Sequence, residues 1–541
     1  MAKPTRYTEE LITEYCTICE PKTLPELWDQ NAEKYPDREA IVDSRTRLSW
    51  SHAKKWIDRL SLGLVELGIK KDEVVVLQLP SSVELPLLRL ACEKAGILSL
   101  ALLPGFRKKE LQYALSFTGA VGIVIPWKFK GFDCFELIKK LQPELPRLKH
   151  IFVIGDDIPN DAISIKEMVQ RRLEERYPSD YLAKRSYKGP EVSYINLTSG
   201  STGFPKFVEY PAWARPTLGR GLAERTKLST DDIIGIFTPA VGGPTTLGYY
   251  AAPHVGCKIV MLESFDAEEA LSLTERERIT IATGVDTVLV KMFRHQKWSH
   301  YDVSSVRLWY MGGPAINSVA EEVEDRGGVI LNIYGAADFG GMSLADITEP
   351  RSTRLMTLGK PVAGATLKIV NSDGNETSKG ETGEIWGTGP SCASGYYQDS
   401  ESTWQVWTKD GWFRTGDLGR FDEQGNLLLV GRIKDMIKRG GQNIYPAEIE
   451  QILMDHPKVA AVAIVSMPDP VLTEKACAYV VCKTGEGFTF DEMTSFLRSK
   501  DIAMYKMPER LEILEEMPMV AEGQKVDKKV LRKDLIKKLL F

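Results

Sequence analysis

Short apolar runs separated by amphipathic stretches recur through the first four-fifths of the chain. Val74–Leu79 (VVVLQL), Val121–Pro126 (VGIVIP) and Ile151–Gly155 (IFVIG) are apolar at successive positions, which predicts strands buried on both faces of mainly parallel sheets. Gly96–Pro104 (GILSLALLP) is the longest such run. It predicts another buried strand, being far short of the roughly 20 residues that span a bilayer. Ser51–Leu67 and Leu137–Leu141 carry helical spacing instead. Alternation of the two patterns predicts an α/β fold of layered sheets.

The last hundred residues read differently. A helix is expected from Tyr445, with Pro446 in its first turn and Ile449, Ile452 and Leu453 on one face. Strands at Val459–Val465 and Ala476–Val481, a helix Phe490–Arg498 and a strand Leu511–Leu514 should follow. A closing helix would turn Leu531, Leu535 and Leu539 to one side. This predicts a small α+β unit, and the boundary is placed after the apolar strand ending at Gly431, giving a domain 1–431 and a domain 432–541.

The chemistry concentrates in Tyr194–Lys206 (YINLTSGSTGFPK). An apolar strand runs into Thr198, Ser199, Gly200, Ser201, Thr202 and Gly203, followed by Pro205 and Lys206. Hydroxyls and open backbone N–H groups can wrap a polyphosphate closely, and Lys206 adds a cation. Pro205 stands where a Walker A loop needs glycine before its lysine, so this is a different kind of phosphate loop. A plain Ser/Gly linker is the alternative reading of the segment taken alone.

TSGSTGFPK resembles the phosphate loop of the adenylate-forming superfamily, which includes acyl- and aryl-CoA ligases, adenylation domains of peptide synthetases and beetle luciferases. Further segments resemble that family's landmarks in the same order: Tyr310-Met311-Gly312-Gly313-Pro314, Asn332-Ile333-Tyr334-Gly335-Ala336-Ala337-Asp338, Gly383-Glu384-Ile385, Gly395-Tyr396-Tyr397, Trp412 to Asp417, and Gly431 to Glu450. The resemblance implies a large N-terminal AMP-binding domain with a β-barrel-like subdomain and a small mobile C-terminal domain. It also implies ATP, Mg²⁺ and coenzyme A as cosubstrates or cofactors.

The resemblance carries roles residue by residue. Thr198 to Gly203, Gly313, Pro314, Asn332, Tyr334, Gly335 and Ala337 would line the nucleotide, with Tyr334 offering a ring to adenine. Asp417 would accept from the ribose hydroxyls, although an ordinary turn aspartate after Gly416 is its bland reading. Arg432 would meet ribose and α-phosphate through its charged fork. Asp338 stands at the family's Mg²⁺-holding acid. Lys525, in a C-terminal run ending Gly523-Gln524-Lys525, would be the adenylation lysine, alongside Lys206 and Lys438 as catalytic cations. Lys525, Lys528 and Lys529 read equally as the solvated start of a helix. Lys434 takes the hinge position, and Arg439, Gly440, Gly441 and Gln442 would line the CoA thiol's route. Val241, Gly242, Gly243, Gly312 and Ala336 would form the acyl pocket.

Three departures from the pattern stand out. Ala337 replaces a threonine, Asp338 a longer glutamate, and Thr238–Pro244 lacks a histidine near its middle. Gly242 and Leu247 fall where hydroxylated aryl acids often find polar readers, so an apolar cyclic or medium-chain acid is expected. The expected activity is an AMP-forming carboxylic acid:CoA ligase. A stand-alone adenylation enzyme that loads a carrier protein, or a non-catalytic nucleotide-binding relative, is the alternative.

Composition narrows this further. With 69 Lys plus Arg against 74 Asp plus Glu the net charge is −5, which offers no case for nucleic acid. Eight cysteines in 541 residues do not make a disulfide framework, and Cys16 and Cys19 form a lone CxxC without a second half. The N-terminus carries no secretory pattern, so a cytoplasmic protein without a membrane span is expected, monomeric or homodimeric.

Overall fold

The computed structural model describes residues 4–198, 205–239, 243–312, 317–520 and 525–539, with the side chains of 317–319, 520 and 525 left aside. The phosphate-loop residues Ser199 to Gly203, the pocket residues Val241 and Gly242, and Gly313 and Pro314 lie outside the described residues.

Two large sheets build the N-terminal domain. The eight-stranded sheet has Val74–Gln78 and Leu98–Leu102 at its centre, flanked by Gly122–Pro126 and His150–Ile154 on one side and Val192–Leu197 on the other. All of these pair in parallel, and Phe207–Pro211 and Gly395–Tyr396 extend the sheet antiparallel. The nine-stranded sheet is parallel from Glu39–Val42 through Lys258–Met261, Ile233–Ile236, Ile281–Val285 and Leu308–Gly312 to Val329–Ala336.

Burial on both faces explains the continuous apolar runs. Val75 and Leu77 face a core that also holds Trp50, Ile57 and Leu60 of the helix Trp50–Glu66 and Ile259 and Ile281 of the other sheet. Their neighbours Val74 and Val76 face the opposite core, against Leu111 and Leu115 of Lys108–Thr118 and Ile138 of Cys134–Leu141. Helices thus lie between the sheets and on their outer faces. Ser49 caps the central helix by accepting from the His52 N–H, and Trp50, Ala53, Ile57, Leu60 and Leu64 keep its apolar stripe inward.

The barrel-like subdomain takes the form of a four-stranded antiparallel sheet, Thr366–Val370, Gly383–Thr388, Phe413–Phe421 and Leu427–Arg432. A short turn, Ile433–Asp435, leads to a separate five-stranded sheet that begins at Ile437–Arg439. We propose the domain boundary in this passage, where the chain leaves one sheet and enters the next. The smaller domain holds the expected elements: helix Pro446–Met454, strands Val459–Asp469 and Thr473–Cys482, helix Phe490–Ser499 and strand Arg510–Leu514. One detail differs. Leu531 and Leu535 of the last helix are buried, but Leu539, its final residue, is 43% exposed. Among the described residues no helix is long and apolar enough to cross a membrane.

Candidate functional site

The expected phosphate-loop segment stands between two antiparallel strands. Leu197 pairs with Phe207 across antiparallel strands, and the base of the loop is latched twice. The Thr198 N–H donates to the Lys206 carbonyl at 2.9 Å, and the Lys206 N–H donates to Thr198 Oγ1 at 3.1 Å. The latch fixes where the lysine side chain starts. Lys206 Nζ lies 4.5 Å from the centre of the Tyr396 ring, on the neighbouring sheet-edge strand.

Tyr396 connects that cation to the acid. Its hydroxyl donates to Asp338 Oδ1 at 2.8 Å. Asp338 sits at the tip of the hairpin between Val329–Ala336 and Gly340–Leu344, and Gly335 is required there because a Cβ would come within 2.4 Å of the Gly340 carbonyl oxygen. Burial pushes the Asp338 carboxyl above its ordinary range, while Tyr396, Lys206 and Arg432 pull it back. Ala337 turns its carbonyl to the Tyr210 hydroxyl, which donates at 2.7 Å.

A second cluster forms where this strand meets the antiparallel sheet. The strand's two-residue period puts Asn332 and Tyr334 on one face. Tyr334 is buried and its hydroxyl donates to Asp417 Oδ2 at 3.0 Å, while Arg432 Nε donates to Asp417 Oδ1 at 2.8 Å. Burial and the Asp417 charge hold the Tyr334 phenol far above its usual range. Asn332 is 2% exposed, and neither its Nδ2 nor its Oδ1 has a partner among the described residues. A buried amide with both functions open is costly unless something meets it.

Asp417 is not a turn residue; it pairs with Arg432 within the sheet. The turn belongs to Gly416 before it, at φ +70°. Glu384, which sequence reasoning kept only as a landmark, fixes that turn. Its Oε1 accepts from the Gly416 N–H at 2.9 Å and its Oε2 from Trp386 Nε1–H at 2.8 Å. The alternation of Glu384 and Trp386 on one strand was the available signal. Glu384→Ala should release the turn and raise the KM for ATP about 3- to 10-fold with kcat little changed, and Glu384→Gln should recover part of it. Steady-state kinetics read both; an unchanged KM in Glu384→Ala would remove this positioning role.

The remaining expected residues lie nearby or on the small domain. Lys434 is half-buried, and burial with the adjacent Arg432 charge lowers its pKa. Gly440 and Gly441 form the tip of a tight turn at φ +54° and +83°, with Lys438, Arg439 and Gln442 on its flanking strands. Arg439 is engaged by Glu509 at 2.7 Å. Gly243 is exposed, and Gly312 backs onto Pro244, whose Cγ a Cβ would meet at 2.8 Å. The backbone of Lys525 lies in a two-stranded hairpin paired with Val520, apart from the helix that starts at Lys528. Lys528 is already paired with Glu450 at 2.7 Å.

A family model described as "AMP-binding enzyme" matches residues 28–397, and a second, "AMP-binding enzyme C-terminal domain", matches 448–524. The chain belongs to the AMP-binding enzyme family. Among its relatives in that family, the medium-chain fatty-acid–CoA ligase of Escherichia coli K12 is 30% identical over 525 residues, covering 96% of this chain and 91% of the relative. The 2,3-dihydroxybenzoate-AMP ligase of Bacillus subtilis 168 is 30% identical over 532 residues, covering 96% and 95%. The same AMP-binding fold is seen in the anthranilate CoA ligase AuaEII in complex with anthranoyl-AMP, at a TM-score of 0.86 and 22% identity over 97% of this chain and 100% of that one.

Proposed function

We propose that this enzyme is an AMP-forming carboxylic acid:CoA ligase. It joins a carboxylate to the α-phosphate of ATP with loss of pyrophosphate, then transfers the acyl group to the CoA thiol with loss of AMP. The observation that carries the nucleotide half is the buried Asn332 amide, open on both its donor and acceptor, on the same strand face as Tyr334. An adenine edge offers one amino donor and an adjacent ring acceptor, which is the complement of such an amide. Asp417 lies one phenol away and would take the ribose hydroxyls, with Arg432 turning its remaining donors to the α-phosphate.

The triphosphate would lie over the hairpin loop latched by Thr198 and Lys206. Asp338 is a lone carboxylate there, and among the described residues no group of three metal-ligating side chains exists. That fits Mg²⁺, which is held by one or two carboxylates and by the phosphates themselves. When bound, the ion would neutralise charge on the departing pyrophosphate. Lys525 would enter with the small domain to stabilise charge on the reacting carboxylate and α-phosphate. Rotation at Lys434 would then bring the Gly440-Gly441 turn to the thiol's path.

A cleft of about 390 Å³ supports a bulky anionic cosubstrate. It reaches Phe237, Thr238 and Pro239 at the start of the expected acyl-pocket segment and carries Lys130 and Lys291 against Glu263. The phosphates of CoA match that balance of charge. Leu247 is fully buried and brings no hydrogen-bonding group to the acyl side, in keeping with an apolar cyclic or medium-chain acid.

A mixed pool of carboxylic acids supplied with ATP, Mg²⁺ and CoA, read by mass spectrometry, tests the reading. The expected products are AMP and the CoA thioester of an unhydroxylated cyclic or medium-chain acid. AMP without a CoA adduct would move the acceptor to a carrier-protein thiol, and turnover confined to dihydroxylated aryl acids would overturn the acid assignment.

A further inference from the structure

A second polar constellation lies inside the large domain, behind the Tyr210 ring on which its Tyr194 stacks. A cavity of about 30 Å³ sits between the helices Leu24–Lys34 and Glu84–Ala95, the strands Leu98–Leu102 and Val192–Leu197, and the wide π-helical turn Leu247–Ala251. Trp28 Nε1, Arg89 Nη2, Glu93 Oε1, Ser99 Oγ, Tyr194 Oη and Tyr249 Oη are on residues that line it, and each is buried without a partner among the described residues. Unsatisfied polar atoms at this density are far from normal for a folded interior, where such groups meet protein or a bound species. Their occupant must fit them together.

The inventory is dominated by donors. The Trp28 indole and the Arg89 guanidinium can only donate, and the three hydroxyls can each donate by rotation. Glu93 is 5% exposed, and burial pushes its carboxyl up to about 8 against the pull of the Arg89 charge, which favours the neutral form that can donate. Charge points the same way. The guanidinium of Arg89 stacks 4.4 Å from the Tyr194 ring, and that of the buried Arg215 lies 5.0 Å from the same ring and 4.9 Å from the Tyr250 ring. Among the described residues neither arginine makes an ion pair, and burial pulls even Arg215 down to about 10. Two guanidinium charges, the half-buried Arg89 and the buried Arg215, are therefore held beside the cavity, with the shifted Glu93 as the acid on its wall.

We propose that this cavity is a binding site for one small monovalent anion of the halide class, held by Trp28, Arg89, Ser99, Tyr194 and Tyr249. A water occupies roughly 10–15 Å³ by the same measure, so the space takes one halide or about two waters. Two waters could meet the hydroxyls and the carboxyl but would leave the guanidinium charges without a counter-ion. A halide accepts from every wall and offsets the buried positive charge. Oxyanions such as sulfate are too large for the space.

Crystals of the full chain soaked in sodium bromide test this directly, with melting of the wild-type protein in chloride against gluconate at one ionic strength as the solution arm. The expected result is a bromide anomalous peak inside the cavity and a melting temperature that rises about 1–3 °C per tenfold increase in chloride. Arg89→Met should abolish that rise, and Tyr249→Phe, which keeps the ring, should reduce it if the arginine variant does not fold. Water density without a bromide peak would overturn the proposal. So would a peak in the crystal with identical melting in chloride and gluconate, which would mark binding at crystal concentration only.

Discussion

Lys525→Ala is expected to slow acyl-adenylate formation about 10²- to 10³-fold, the range set by removing one preorganised charge from a transition state. The same variant should still convert a supplied acyl-adenylate and CoA into thioester at close to the wild-type rate, since the proposed role of Lys525 ends with the first half-reaction. Pyrophosphate exchange measures the first step, and thioester formation from synthetic adenylate measures the second. The hairpin placement sharpens the comparison. Lys528 belongs to the helix and pairs with Glu450, so Lys528→Ala should leave adenylation within about 2-fold of wild type. Equal losses in both lysine variants would show a general effect of small-domain charge and remove the assignment.

Asp417→Ala is expected to raise the KM for ATP about 10²-fold. Two hydrogen bonds from ribose hydroxyls to a carboxylate are worth about 1.5 kcal/mol each or more, and about 1.4 kcal/mol corresponds to a factor of ten. Truncation also strands the Tyr334 hydroxyl and Arg432, both of which rely on Asp417 in this structure. Asp417→Asn should lose less, because its amide oxygen still accepts from one partner. Isothermal titration with ATP separates the effects; binding unchanged in Asp417→Ala would place the ribose elsewhere. Arg432 is 40% exposed, so its pair with Asp417 is screened and its loss alone should cost little stability.

Much of this was legible in the sequence because burial dictates pattern. Strands covered on both faces are buried at every position and so mostly apolar, as in Val74–Gln78 and Leu98–Leu102, where only Gln78 and Ser99 are polar. Pro446 marked its helix start because a first-turn proline loses no hydrogen bond. The proposed site residues stand in motifs, but the partnerships among them were not legible. No local spacing tells that Tyr334 reaches Asp417 or that Tyr396 reaches Asp338, since each pair joins elements of different sheets. Glu384 was half-hidden: its alternation with Trp386 marks one strand face, but its work is to hold the backbone of Gly416, which no residue type announces. The donor-lined cavity was equally invisible, being assembled from Trp28, Glu93, Tyr194 and Tyr249 across most of the large domain.

The position of Tyr396 has an electrical consequence. Without an intervening group, a lysine and an aspartate facing one another across a phosphate site would close into a contact pair and cancel. An arriving nucleotide would then first have to prise them apart. Here the phenol ring takes the cation on its face and the acid on its hydroxyl, so that Lys206 and Asp338 are both held yet never discharge into each other. The ring works as an insulator between two opposite poles, which would leave both poles live for the proposed phosphates and their counter-ion.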